Sequence, residues 1–282
     1  MRRSLVFCLL AVAAATPVVV GAAAAASDSG ERNALRLHRG VRYFAIGCGF
    51  SHRNQDDPIV FPGQRGRSHD HTFFGNRSTN ATSTAESLRA AGRTSCRLRA
   101  DTAAYWAPTL LGRDGPVRPE RATAFYVRAT TEPVQAFPPG LQVVAGSAAA
   151  RRAQSRAITF WSCGPRGGGT RSSTIPACAG GRGSDLHLHV NFPSCWDGER
   201  LDSRDHQSHM AYSSDGSCPG SHPVAVPALS LVIDYGIAGG GGLELASGGQ
   251  FSGHADFVNA WDQRTLQALV DRYLNRSGRR GR

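Results

Sequence analysis

From residue 41 onward the sequence breaks into short apolar runs, and that spacing restricts the chain to a mostly β fold. The runs 41–46, 104–111, 123–129, 141–144, 157–161, 186–192 and 229–235 are rich in β-branched and aromatic residues and are bounded by Gly, Pro, Ser and Asp. Strands at this spacing, with no helices between most of them, favour an antiparallel sandwich or barrel. Two helices are expected. One covers 83–91, with Ser83 as N-cap, Glu86 completing a capping box and Gly92 as the stop. The other covers 256–275, where Phe257, Ala260, Trp261, Leu266, Leu269, Val270 and Tyr273 recur at helical spacing. The expected fold is mainly β: an antiparallel, jelly-roll-like β-sandwich over 41–275, with one short helix and a C-terminal helix at its side.

The N-terminus sets the compartment. Arg2 and Arg3 precede an uncharged apolar stretch that ends in Ala24-Ala25-Ala26, the layout of a secretory signal peptide. Residues 1–26 are read as that leader and 27–40 as a loose polar lead-in. An even set of cysteines then follows: Cys48, Cys96, Cys163, Cys178, Cys195 and Cys218. In an exported chain these imply three disulfides, with about fifteen connectivities open. No second long apolar stretch follows, so no membrane association is expected once the leader is cleaved. The expected state is a monomer.

Charge constrains partners less. The formal net charge is +11, and every basic side chain is arginine. Such a protein is drawn to anionic polymers by its long-range field. The arginines are scattered, without interleaved aromatics, and 276–282 reads as a basic tail, so no nucleic-acid partner is expected.

The histidines carry the chemistry. His69-Asp70-His71, His206 with His209, His222 and His254-Ala255-Asp256 all stand beside Asp, Gly or Pro. Residues two apart share a face of an extended strand, so His69 and His71 can aim at one point. His206 and His209 are three apart and can converge on a helical turn. Histidine exchanges a proton near neutrality or binds a metal through a neutral ring nitrogen, and an adjacent Asp fixes its tautomer. Both an acid–base site and a metal site therefore stay open. His38 and His52 read as surface residues or loop anchors, and His187 and His189 as an exposed strand face. With all six cysteines paired there is no thiol nucleophile. No G-x-S-x-G elbow, H-E-x-x-H helix, P-loop or dinucleotide fingerprint is present.

Several blocks together carry a resemblance. They are Asp57-Pro58-Ile59-Val60-x-Pro62-Gly63, Ser68-His69-x-His71-x-x-x-Gly75-Asn76, and Cys96 with Asp101 and Tyr105-Trp106-x-Pro108. They continue with Cys195-Trp196-Asp197-Gly198, Asp205-His206-x-Ser208-His209-x-Ala211-Tyr212, Cys218-Pro219-x-x-His222 and His254-Ala255-Asp256-Phe257-x-x-x-Trp261. Over about 41–274 the chain resembles the DUF1996 family of secreted actinobacterial and fungal proteins, a domain of unknown function. The resemblance implies extracellular polysaccharide surroundings and no particular reaction.

The leading expectation is an extracellular enzyme, a hydrolase or lyase, acting on a cell-wall or extracellular polysaccharide. Its catalytic candidates are His69, His71, Asp57, Asp197, His206 and His209. Trp106 and Trp196 are candidate sugar platforms, and Tyr212, His222, His254 and Asp256 are further binding candidates. The alternative is a non-catalytic carbohydrate- or metal-binding module. In either case one divalent metal ion is a candidate cofactor, with His69, His71, His206 and His209 as its candidate ligands.

Overall fold

A computed structural model describes residues 41–164, 171–181 and 183–276. The leader, the lead-in, His38 and residues 277–282 of the tail lie outside the described residues.

Nine strands form the main antiparallel sheet: β1 (Tyr43–Asn54), β2 (His71–Gly75), β3 (Ala104–Pro108), β6 (Arg121–Val127), β7 (Gln142–Gly146), β8 (Thr159–Cys163), β9 (Leu186–Asn191), β13 (Ala228–Asp234) and β15 (His254–Val258). Their order is β7-β15-β3-β2-β1-β6-β13-β9-β8. Two small three-stranded sheets accompany it among the described residues. One combines β4 (Leu110–Gly112), β5 (Gly115–Pro116) and β14 (Glu244–Leu245), and the other β10 (Cys195–Trp196), β11 (Met210–Ala211) and β12 (Val224–Ala225).

The long strand β1 makes the sheet into a sandwich. Tyr43 to Gly49 pair with β6, and Phe50 to Asn54 pair with β2, with a register irregularity between Phe50 and His52. A bulge of this kind bends a strand, which lets β1 serve both layers. The far edge strand β7 returns against β9, so the sheet nearly closes. Between the layers lie Phe44, Phe74, Tyr105, Tyr126, Phe137, Leu188, Leu231 and Phe257. A polar network sits among them: Tyr105 Oη donates to Asp101 at 2.9 Å, and Trp261 Nε1 donates to Tyr126 Oη at 2.9 Å.

Three disulfides join Cys48 to Cys96, Cys163 to Cys178 and Cys195 to Cys218. Such bridges persist in oxidising, extracytoplasmic surroundings. Among the described residues no helix is long and apolar enough to cross a membrane.

The helices differ from the sequence expectation in detail. Helix α1 covers Ala85–Ala91, capped by Thr84 with Ser87 as its capping-box partner; Gly92, at φ 60°, ends it. Ser83 and Glu86 therefore do not form the cap. The C-terminal helix α2 begins only at Gln263, capped by Asp262, and runs through Leu269 into a π-helix, Val270–Asn275. Residues 254–258 are strand, not helix. Ala255 and Phe257 enter the inter-layer core while Val258 faces the other side, a period of two. The 3–4 spacing of Phe257, Ala260 and Trp261 imitates a helix face because the chain turns between strand and helix.

Candidate metal centre

The site lies on the outer face of the layer containing β2, β3 and β15. Strand alternation places Phe74, Tyr105 and Phe257 in the inter-layer core, so Phe73, Trp106 and Val258 project outward. His71, His254 and Asp256 share that outward parity. Register sets Asp256 beside Trp106, and Trp106 beside Phe73. Ile59 from the preceding loop and Ala85 and Leu88 from α1 cover this face. All five residues of β2 and all five of β15 are consequently buried.

The covering loop is held by its own carboxylates. Asp57 Oδ1 accepts from the amides of Ile59 at 3.0 Å and Val60 at 2.9 Å. Asp56 Oδ1 accepts from Gly66 N at 2.9 Å, and its backbone carbonyl accepts from His71 Nδ1 at 3.0 Å. The loop thus carries Asp57 and His69 onto the strand residues.

Three imidazoles meet there. Ring centroids lie 4.2 Å apart for His69 and His71, 5.0 Å for His69 and His254, and 5.8 Å for His71 and His254. One ring nitrogen from each falls within 4.8 Å of the other two; one ligand atom each of Asp57, His71 and Asp256 meets the same limit. Tautomers follow from the partners. His71 Nδ1 faces the Asp56 carbonyl and His254 Nδ1 faces the Ser252 carbonyl at 2.8 Å, so both Nδ1 atoms carry the proton. Their Nε2 atoms keep the lone pair, the arrangement found behind metal-binding histidines. His69 Nε2, His71 Nε2 and both carboxyl oxygens of Asp256 are buried without a hydrogen-bond partner.

Burial dominates the electrostatics. It lowers His69 to about 4 and His254 to about 4, and it holds His71 well below the usual imidazole range. Burial raises the Asp256 carboxyl well above its ordinary value, and the neighbouring Asp57 pushes it further. Asp57 is raised by burial too, against the Val60 and Ile59 amides, His206 and the Trp106 N–H. Trp106 Nε1 lies close to Asp57 without hydrogen-bond geometry. Unpartnered buried polar atoms are costly, roughly 1–3 kcal/mol each. A divalent cation would use both neutral nitrogens and carboxylates, so this donor set fits a metal.

His206 stands at the edge of this group. Its Nδ1 meets both oxygens of Asp202, at 3.0 and 3.1 Å, and its backbone takes the left-handed φ of 58°. The carboxylate holds the proton on Nδ1 and makes Nε2 the basic nitrogen. His206 and His69 are the partly exposed members, and they form the solvent-facing side.

Other residues of the expected site lie elsewhere. His209 Nε2 donates to the Gln142 carbonyl at 2.7 Å and its Nδ1 meets Ser203 Oγ at 2.9 Å, so the ring is a buried brace. Asp197 accepts from Glu199 N, Arg200 N and Arg200 Nε. Trp196 Nε1 donates to the Arg200 carbonyl, Tyr212 Oη to the Asn191 carbonyl, and His222 meets Ser221 and the Ser208 carbonyl. These residues organise the loops around the Cys195–Cys218 bridge. Trp106 is fully buried and offers no face to a sugar. His52 is a loop anchor, bonded to Ser51 Oγ and the Thr79 carbonyl. His187 and His189 are buried rather than on an exposed strand face, bonded to the Asp185 carbonyl and Ser162 Oγ. Asp202 stands in the same sequence block as His206 but was not among the site candidates, although a carboxylate four residues before a histidine was an available signal.

Gly146 sets the position of His254. The two residues pair across β7 and β15, and Gly146 has a φ of 81°. A Cβ there would lie 2.5 Å from the Gly253 carbonyl oxygen and 3.0 Å from His254 Cα. Gly146→Ala is therefore expected to destabilise the fold by about 1–3 kcal/mol and to shift His254. Urea unfolding checks this; a variant as stable as the parent contradicts it.

A family model described as "Domain of unknown function (DUF1996)" matches residues 57–261. No curated protein matches the chain, and no solved structure does. The matched span runs from Asp57 through Asp256 to Trp261 and so contains every residue of the cluster.

Proposed function

The chain belongs to the DUF1996 family, to which no activity is assigned, and from the geometry of its site we propose that it is a secreted, metal-dependent hydrolase of an extracellular polysaccharide. The observation that carries this reading is the convergence of His69, His71 and His254 with two buried carboxylates, Asp57 and Asp256. Three protein ligands with an open position are the usual catalytic arrangement for a divalent transition metal. The bound cation would supply an activated water at neutral pH. His206, fixed by Asp202 and partly exposed, suits proton transfer with the substrate. His69 marks the entry, because it is the least buried imidazole of the three. Secretion is supported by the three disulfides and the leader-like N-terminus. Polysaccharide as the substrate rests on the surroundings that the family resemblance implies.

The test is an assay of purified protein on cell-wall polysaccharides with added Zn²⁺ or Mn²⁺ and after chelation. New reducing ends, lost on chelation and in His71→Ala, are expected. Unsaturated ends would instead indicate a lyase. Metal-stabilised protein inert on every polymer would leave the second reading, a structural metal module. That reading is favoured by the closeness with which the 57–70 loop covers the cluster.

A further inference from the structure

A separate cavity of about 280 Å³ opens where β1 passes from β6 to β2. Phe50, Arg53, Thr72, Pro116, Val117 and Arg118 line it. Thr72 alternates with His71 and Phe73 along β2, so the cavity lies on the opposite face of that strand from the histidine cluster. Its volume falls just below the ~300 Å³ at which ligand pockets begin, enough for a single small ring.

The lining has a definite polarity. Two arginines, Arg53 and Arg118, line the cavity, and no acidic residue is among its lining. Both are oriented by fixed neighbours. The Arg118 guanidinium lies over the Phe50 ring, 4.7 Å from its centroid. Arg53 Nε is held by Asp70 Oδ2 at 3.0 Å, which leaves the two terminal nitrogens for a further acceptor. Pro116 and Val117 supply an apolar wall beside these cations. A planar guanidinium fork recognises a carboxylate in bidentate fashion, and stacking on an aromatic ring preorganises it.

We propose that this cavity is a binding subsite for an acidic sugar, a pyranose whose carboxylate is taken by Arg53 and Arg118 and whose ring rests on Pro116 and Val117. This deepens the functional reading by naming a uronate-containing polymer as its substrate class, and it rests on that reading only for turnover. Binding itself requires no metal.

The experiment is calorimetric or NMR titration of chelated protein with glucuronate, a short oligouronide, glucose and inorganic sulfate. Binding of glucuronate or the oligouronide, with little binding of glucose and sulfate, is expected. Arg118→Ala, at an exposed position, should weaken it about tenfold or more while the thermal melt stays unchanged. Arg118→Lys should recover only part, since a point charge replaces the fork. Uronate binding as weak as that of glucose overturns the proposal. So does sulfate binding as tightly as uronate, or uronate binding unaffected by Arg118→Ala. A neutral polymer cleaved by metal-loaded protein, with no uronate binding, would sink this inference and leave the hydrolase reading standing.

Discussion

Protein loaded with Zn²⁺ is expected to unfold roughly 10 °C above the same protein after chelation. At a metal concentration of about a thousand times Kd, binding to the folded state alone contributes ~4 kcal/mol. For a domain of this size each kcal/mol moves the midpoint by about 2–4 °C. His71→Ala should abolish the difference, because His71 is common to both ligand groups, the three-histidine set and the set with Asp57 and Asp256. His209→Ala separates this account from a general loss of packing. It should lower stability with and without metal alike, since His209 braces Gln142 and Ser203 outside the cluster. Equal melting curves for loaded and chelated parent protein would remove the metal centre and the hydrolase reading with it.

The second large effect is a loss of stability as pH rises towards 8. Burial raises the Asp101 carboxyl from 3.8 to about 8 in the folded protein. The folded state therefore holds a proton that the unfolded chain has released, and stability falls as pH rises from about 4 to about 8. Over the whole window this amounts to on the order of 5 kcal/mol, at ~1.4 kcal/mol per unit. The histidines of the cluster act with the opposite sign. His69 and His254 are depressed to about 4, so the unfolded chain binds protons first and metal-free protein loses stability as pH falls from 6.5 towards 4. Above pH 6.5 the carboxyls act alone, and the decline should be visible between pH 6.5 and 8. Asp101→Asn should flatten it by the Asp101 share, with the remainder due to Asp256 and Asp57, which burial also raises. Chemical denaturation of metal-free protein at several pH values checks this. An undiminished slope in Asp101→Asn would show that the buried network is not its source.

Much of the fold was legible because β-branched and aromatic runs such as Leu186–Asn191 and Ala228–Asp234 carry the strand signal directly. Strand β2 carries none of that contrast. His71 to Gly75 are buried on both faces, so there is no alternation of polarity to read. The site was legible in part for a related reason. His69, His71, Asp57, His254 and Asp256 are all conspicuous residue types in conspicuous blocks. So are Asp197, His209, His222 and Trp196, and only hydrogen bonding separates the two sets. The second set uses its polar atoms on neighbouring groups, while in the first His69 Nε2, His71 Nε2 and both carboxyl oxygens of Asp256 stay buried and unpartnered. Sequence alone gives residue types, and satisfaction is a property of three dimensions.

The place of β15 in the sheet has a consequence for timing. Among the described residues it is the last strand, yet it enters beside β3, bringing His254 to partners contributed by the segment around β2. Long-range pairing of this kind closes late in folding. The histidine cluster therefore comes together only once β15 has docked. A metal taken up there would be governed by the medium in which β15 docks, rather than by ions met earlier in biogenesis.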